Sequence, residues 1–213
     1  MSRLTDNLES IADQIRQTFS VKDAAREKAL PLCREVIRYC SQAIRATHRE
    51  EFDQAKELLQ LARDLLNQAK QAVATYSELS NANFIKDAQK EFAEGSITLA
   101  LVTKNPPPGP DELGIDPAAY LNGLGEAMGE LRRFLLDSMR RGDLSQGEEL
   151  LLVMDDVYSI LITMDFPDAI TSGLRHTTDM VRGVLERTRS DLTLAIRQKE
   201  LENKLEKLEG NLP

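Results

Sequence analysis

Two pairs of glutamates near the middle of the chain have the types and spacing to do chemistry. Glu91 and Glu94 lie three residues apart in an apolar run that continues to Val102. Glu126 and Glu130 lie four apart, among Gly123, Gly125, Ala127 and Gly129. On an α-helix these spacings put both members of each pair on one face, where like charges repel. Each glycine inside a helix costs a further ~0.5–1 kcal/mol relative to alanine. Three of them in one segment imply that another backbone comes very close. If that neighbour is the helix bearing Glu91 and Glu94, four carboxylates converge. Each pair at about 4 Å would then repel by roughly 4 kcal/mol at an effective dielectric near 20. A divalent cation held by Glu91, Glu94, Glu126 and Glu130 would relieve that repulsion.

Other site chemistries lack their residues. The only histidines are His48 and His176, and neither follows a glutamate by three positions, so the Glu-x-x-His element of di-iron bundles is missing. There is no Cys/His zinc spacing, no glycine-rich phosphate loop after a strand, and no Ser or Cys in a recognisable nucleophile setting. An oxygen-only metal site is what remains.

The basic residues offer a possible second function. Arg34, Arg38, Arg45 and Arg49 recur at helical spacing along a segment from Ala24 to about His48. Such a stripe is either a solvated face paired with neighbouring acids or a ridge of guanidinium groups following a sugar-phosphate backbone. Lys56, Arg63 and Lys70 form another basic row at heptad spacing, and His48 alone more often serves structure than catalysis. The formal charge of −8 over 213 residues excludes a uniformly cationic coat, so nucleic-acid binding would have to concentrate in one groove or cavity.

These residues need helices to position them, and the patterning supplies little else. The chain is 41% hydrophobic, 5% aromatic and free of Trp, which fits one all-α domain spanning residues 1–213. Leu4, Leu8, Ile11, Ile15 and Phe19 form a first helical stripe that is expected to end near Ser20. Further helices are expected from Ala24 to His48, with Pro31 in a first turn or at a kink, and from Glu50 to Tyr76. The helix bearing Glu91 and Glu94 should start at Asn81 or Asn83 and stop before the proline loop at 105–110. Asp116-Pro117 opens the helix of Glu126 and Glu130, which should turn at Gly142-Asp143. Ser145 and Glu148 read as a capping box for the next, which Asp165-Phe166-Pro167 breaks. A last helix is expected from Ala169 to about Glu209, with Leu194, Leu201 and Leu208 repeating at seven and Leu205 and Leu212 at the intermediate heptad positions, a pattern that wants another helix to pack against. Cys33 and Cys40, seven apart on a helix, would lie roughly 10 Å apart and cannot pair. The N-terminus lacks a signal core and no run is long enough to span a bilayer, so a soluble, cytoplasmic protein without membrane contact is expected.

Several of these stretches resemble the translin and translin-associated factor X family over most of the chain. Lys90-Glu91-Phe92-Ala93-Glu94 resembles the Glu-aromatic-x-Glu element of the catalytic subunits. The stretch from Tyr120 to Leu131 resembles their Tyr-Leu-x-Gly helix ending in Gly-Glu-Leu, and Ile44 to Arg49 and Ser138 to Asp143 match further. The resemblance implies a seven-helix bundle assembling into a hollow homo-oligomer, an octamer, that binds single-stranded RNA or DNA. It implies that Glu91, Glu94, Glu126 and Glu130 hold Mg²⁺, or Mn²⁺, for internal cleavage of single-stranded RNA. It also implies that Arg34, Arg38, Arg45, His48 and Arg49 contact the nucleic acid. Translin itself lacks the acidic set, whereas this chain has all four acids and so looks like the catalytic kind. Glu126 stands where catalytic subunits usually carry aspartate, and Gly95 where alanine is commoner. The longer Glu126 side chain keeps a second reading open, a single-strand-binding protein without catalysis. The basic N-terminal extension of nuclear factor X proteins has no counterpart here, which implies a compact, self-assembling, prokaryotic version.

Overall fold

The computed structural model describes residues 7–209, and among them the chain is all-α. Six long helices carry the fold: α1 (Leu8–His48), α2 (Phe52–Val73), α4 (Asn83–Val102), α6 (Pro117–Arg140), α7 (Gly147–Leu161) and α9 (Leu174–Glu209). Three single turns link them, α3 (Ser77–Ser80), α5 (Pro110–Leu113) and α8 (Asp168–Thr171). α2 packs along α1, α4 lies across both and against α6, and α6 in turn carries α7 and α9. The core runs continuously through these contacts, from Val36 and Cys40 through Phe92 and Ile97 to Met128, Leu131, Met154 and Val181.

The break expected near Ser20 is absent. Residues 8–48 form one helix of 41 residues, because nothing between Ser20 and Asp23 disfavours helix strongly enough to stop it. Pro31 sits inside this helix on the exposed side, where the carbonyl left without an N–H partner can meet water. The segments expected as seven helices are therefore six long ones and three short. Burial on α1 begins only at Ala29, so its first half stands clear of the core, with Ile11, Ile15 and Phe19 exposed.

The connections follow local chemistry. The Asp116 carboxylate accepts from the amides of Ala118 and Ala119 and caps α6, with Pro117 at its first position as expected. Gly142, at φ +80°, makes the turn that ends this region. The Ser145 and Glu148 capping box does not form: α7 begins at Gly147 without a side-chain cap, and the Asp143 carboxylate accepts from the Ser145 amide instead. The last helix is likewise shorter than expected, since Ser172 and Gly173 at φ +53° and +85° separate α8 from α9. Leu194, Leu201, Leu205 and Leu208 project into solvent from α9, while Leu4 and Leu212 fall outside the described residues.

Candidate metal site and nucleic-acid interface

The close approach inferred from the glycines is made at Gly123. A Cβ built there would lie 2.5 Å from the carbonyl oxygen of Lys90 and 2.7 Å from the Cβ of Ala93. The backbone of α4 at residues 90–94 thus rests directly on α6, and Glu126, one turn along, meets Glu91 and Glu94. The other two glycines do different work. Gly125 admits Thr177 of α9, and Gly129 faces open space.

Glu91, Glu94 and Glu126 each place a carboxylate oxygen within 4.8 Å of the others'. Burial, reinforced by Glu91, Glu126 and Glu130, pushes the Glu94 carboxyl up to about 8. Burial also raises Glu91, against the pull of Lys90. Glu126 is held from its other side by the Lys90 ammonium at 2.7 Å. Burial is the largest single influence on that ammonium and would lower its pKa, but the bond to Glu126 and the charges of Glu126, Glu91 and Asp87 together outweigh it and the net shift is upward.

Glu130 lies beside this trio rather than within it. Its Oε2 is 2.5 Å from Nε2 of His48, and Arg133 approaches it at 3.9 Å. The His48 bond holds Glu130 below the usual carboxylate range despite its burial. His48 is largely buried: its side chain is only 6% exposed, and its Nδ1 has no partner among the described residues. The ring's contact is with a carboxylate, and it fixes where that carboxylate points.

The arginines of α1 separate by environment. Arg45 bonds to the carbonyl and hydroxyl of Ser41 and lines a cavity of about 370 Å³ with Glu91, Glu94, Glu130 and Arg133. Arg38 is paired with Glu35 and lies over the Tyr39 ring, and Arg49 is paired with Glu51 at 2.7 Å. Arg34 is exposed and is not among the residues lining the carboxylate cavity. Only Arg45 of the stripe therefore reaches the carboxylate cavity. Lys90 and Arg133 are the site residues that pattern reading passed over. Their signals were present, since Lys90 precedes Glu91 and stands four before Glu94, and Arg133 stands three after Glu130.

The donor set suits a hard cation. Three carboxylate oxygens within 4.8 Å of one another need contract only slightly to share one ion at the roughly 2.0–2.6 Å typical of Mg²⁺ or Ca²⁺. The thiols are unsuited to nucleophilic work, as burial pushes Cys33 up to about 11 and raises Cys40 further, with Glu91 and Glu94 adding to the shift. A larger cavity of about 560 Å³ beside Val73 and Ile85 offers no comparable cluster, and its one charged lining residue, Lys70, donates to the Gly114 carbonyl. No described helix is long and apolar enough to cross a membrane.

No family model matches the sequence. The uncharacterized protein MJ0175 of Methanocaldococcus jannaschii is 30% identical over 193 residues, which cover 90% of this chain and 85% of that protein. AfC3PO, from Archaeoglobus, is similar at 32% identity with a TM-score of 0.80, covering 88% of this chain and 97% of that one; it has been solved by itself and as a complex with duplex RNA. Apo-NeC3PO, at 16% identity, shares the fold with a TM-score of 0.78, covering 92% of this chain and all of that one. A likeness of this identity and extent to AfC3PO means that the chain belongs to the C3PO family, of the translin and translin-associated factor X type.

Proposed function

We propose that the protein is a divalent-metal-dependent endoribonuclease that cleaves single-stranded RNA at the carboxylate cluster, working inside a hollow homo-oligomer. The observation that carries this reading is the convergence of Glu91, Glu94 and Glu126 within 4.8 Å beside a cavity walled by Arg45 and Arg133. Acids crowded at this cost gain most from a cation. The arginines beside them supply what a phosphodiester needs for binding.

Glu91, Glu94 and Glu126 would hold the ion, with Glu130 close enough to complete its surroundings. When bound, Mg²⁺ or Mn²⁺ supplies charge neutralisation and Lewis-acid polarisation of a phosphoryl oxygen. Lys90 anchors Glu126 so that one of its oxygens stays aimed at the cluster. His48 orients Glu130 in the same way, as outer partners of metal ligands commonly do. Arg45 and Arg133 draw the phosphate toward the acids by charge. The longer Glu126 side chain, in place of the family's usual aspartate, is accommodated by its bond to Lys90.

The described surface supports assembly. Leu194, Leu201, Leu205 and Leu208 along α9 and Leu8, Ile11, Ile15 and Phe19 along α1 are exposed in a single chain, and large apolar stripes of this kind are normally covered by a partner. An octamer follows the family pattern. AfC3PO has been solved with duplex RNA, so a strand within a duplex is the second substrate to compare.

Glu126→Gln and Glu130→Gln keep side-chain size while removing charge, and each should fold, assemble and bind RNA normally. Cleavage of a labelled single-stranded RNA should be lost in both, and in the unmodified protein on adding EDTA. Cleavage that persists under either condition removes the carboxylates from the mechanism. Tight binding without cleavage in Mg²⁺ or Mn²⁺ would favour the non-catalytic, single-strand-binding reading.

A further inference from the structure

A second cavity, of about 270 Å³, adjoins the carboxylate cluster through Lys90 and Glu126. It lies between α4, α6 and the turn from α8 into α9, and the buried Asn122 holds these parts together. The Asn122 amide donates to the carbonyl of Ala118 on its own helix at 2.8 Å and to that of Thr171 at 2.9 Å. Its carbonyl accepts from the Thr177 hydroxyl at 2.6 Å. The Ser172-Gly173 turn is thereby fixed against α6, and Ser172 is brought opposite α4.

The charges facing this cavity are unevenly satisfied. Lys90 is committed to Glu126. Lys86, one turn earlier on α4, reaches only the Ser172 hydroxyl, at 3.4 Å, and no carboxylate lies within ion-pair distance of it among the described residues. His176, from the first turn of α9, joins it on the lining. Asp87 and Glu126 are the carboxylates that also face the space, and Asp87 is exposed. A cation with no ion-pair partner among the described residues, on the wall of a cavity continuous with an acid cluster, is suited to an anion that arrives with a substrate.

We propose that this cavity seats a phosphate of the RNA strand, adjacent to the phosphate that reaches the acids, with Lys86 as its principal contact and Ser172 and His176 beside it. The proposal rests on the nuclease reading only for the path of the strand. Repulsion from Asp87 directs the phosphate toward Ser172. The strand then runs between two banks, Arg45 and Arg133 lining one cavity and Lys86 with the His176 ring lining the other. Each bank holds one phosphate while the carboxylates address the bond between.

The test measures binding rather than cleavage. Anisotropy of a labelled 2′-O-methyl single-stranded RNA is titrated in Mg²⁺ at several salt concentrations. Lys86→Met should weaken binding roughly threefold and reduce the slope of log K against log salt by about 0.7, the share of one phosphate contact on a single strand. Lys86→Arg should keep the slope. Lys104→Met, which removes a cation paired with Glu149 elsewhere, should leave both quantities unchanged. An unaltered slope in Lys86→Met, an equal loss in Lys104→Met, or no binding by the unmodified protein overturns the proposal. So does a Lys86-dependent response to inorganic phosphate without one to RNA, which would mark a seat for a free anion. A protein that binds as expected but never cuts removes the nuclease reading and leaves this seat standing. One that cuts with an unaltered Lys86→Met slope does the reverse.

Discussion

Glu94→Gln in the metal-free protein separates a strained cation site from an ordinary patch of surface acids. Glu94 faces Glu91 and Glu126 with oxygens within 4.8 Å, and at an effective dielectric near 20 each such pair at that distance costs about 3.5 kcal/mol when fully charged. Folding relieves part of this by keeping the Glu94 carboxyl protonated to about 8, against 4.5 in the unfolded chain. The group's folded-state pKa is raised, so its contribution to stability is fully present below pH 4.5 and is lost as pH rises toward 8. At about 1.4 kcal/mol per pKa unit the ceiling is near 5 kcal/mol, and partial exposure reduces this to roughly 2–4 kcal/mol. In EDTA, at fixed protein concentration, the parent should therefore be more stable to urea at pH 5.5 than at pH 8.5, and Glu94→Gln should flatten that difference. At pH 8.5 the variant should exceed the parent by roughly 2–4 kcal/mol, and Mg²⁺ should stabilise the parent far more than the variant. Equal pH dependence in the two proteins, or a variant less stable at pH 8.5, would refute the crowding on which the site argument depends.

Two glycines on one helix should respond in opposite directions. Gly123→Ala drives a Cβ into the Lys90 carbonyl and should cost about 1–3 kcal/mol in urea unfolding, whereas Gly129→Ala meets nothing within 4 Å and should gain up to ~1 kcal/mol from helix propensity. The Arg45→Ala and Arg133→Ala double variant should weaken RNA binding and flatten its salt dependence by about 1.4, two single-strand phosphate contacts, in the same anisotropy assay. Leu201→Lys with Leu205→Lys places charge on the exposed α9 stripe and should reduce the particle mass seen by light scattering, while circular dichroism stays helical.

The all-α class, the α6 cap at Asp116-Pro117 and the pairing of two acid-bearing helices were legible because each rests on local rules. Helical periodicity, a capping carboxylate before proline and glycine at a contact act over a few residues. The same locality explains the misreadings. Ser20 and Asp23 resemble a cap but lie inside a 41-residue helix, since a capping residue does not stop a helix when the residues around it favour continuing. Ser145 and Glu148 resemble a capping box, yet Asp143 takes the Ser145 amide first.

The residue types and their spacing determined by themselves that four carboxylates would line two helix faces, that any site these acids form would offer oxygen donors, and that a basic stripe would follow α1. Only the tertiary structure decided which acids converge. Glu91, Glu94 and Glu126 share one site because the backbone of α4 sits on Gly123, while Glu130 turns to a histidine 82 positions away in sequence. It likewise selected Arg45 over Arg34, Arg38 and Arg49 and brought in Lys90 and Arg133. Spacing along a helix fixes which face a side chain occupies, but the partner across that face comes from another helix, chosen by packing and by where burial leaves a charge without water.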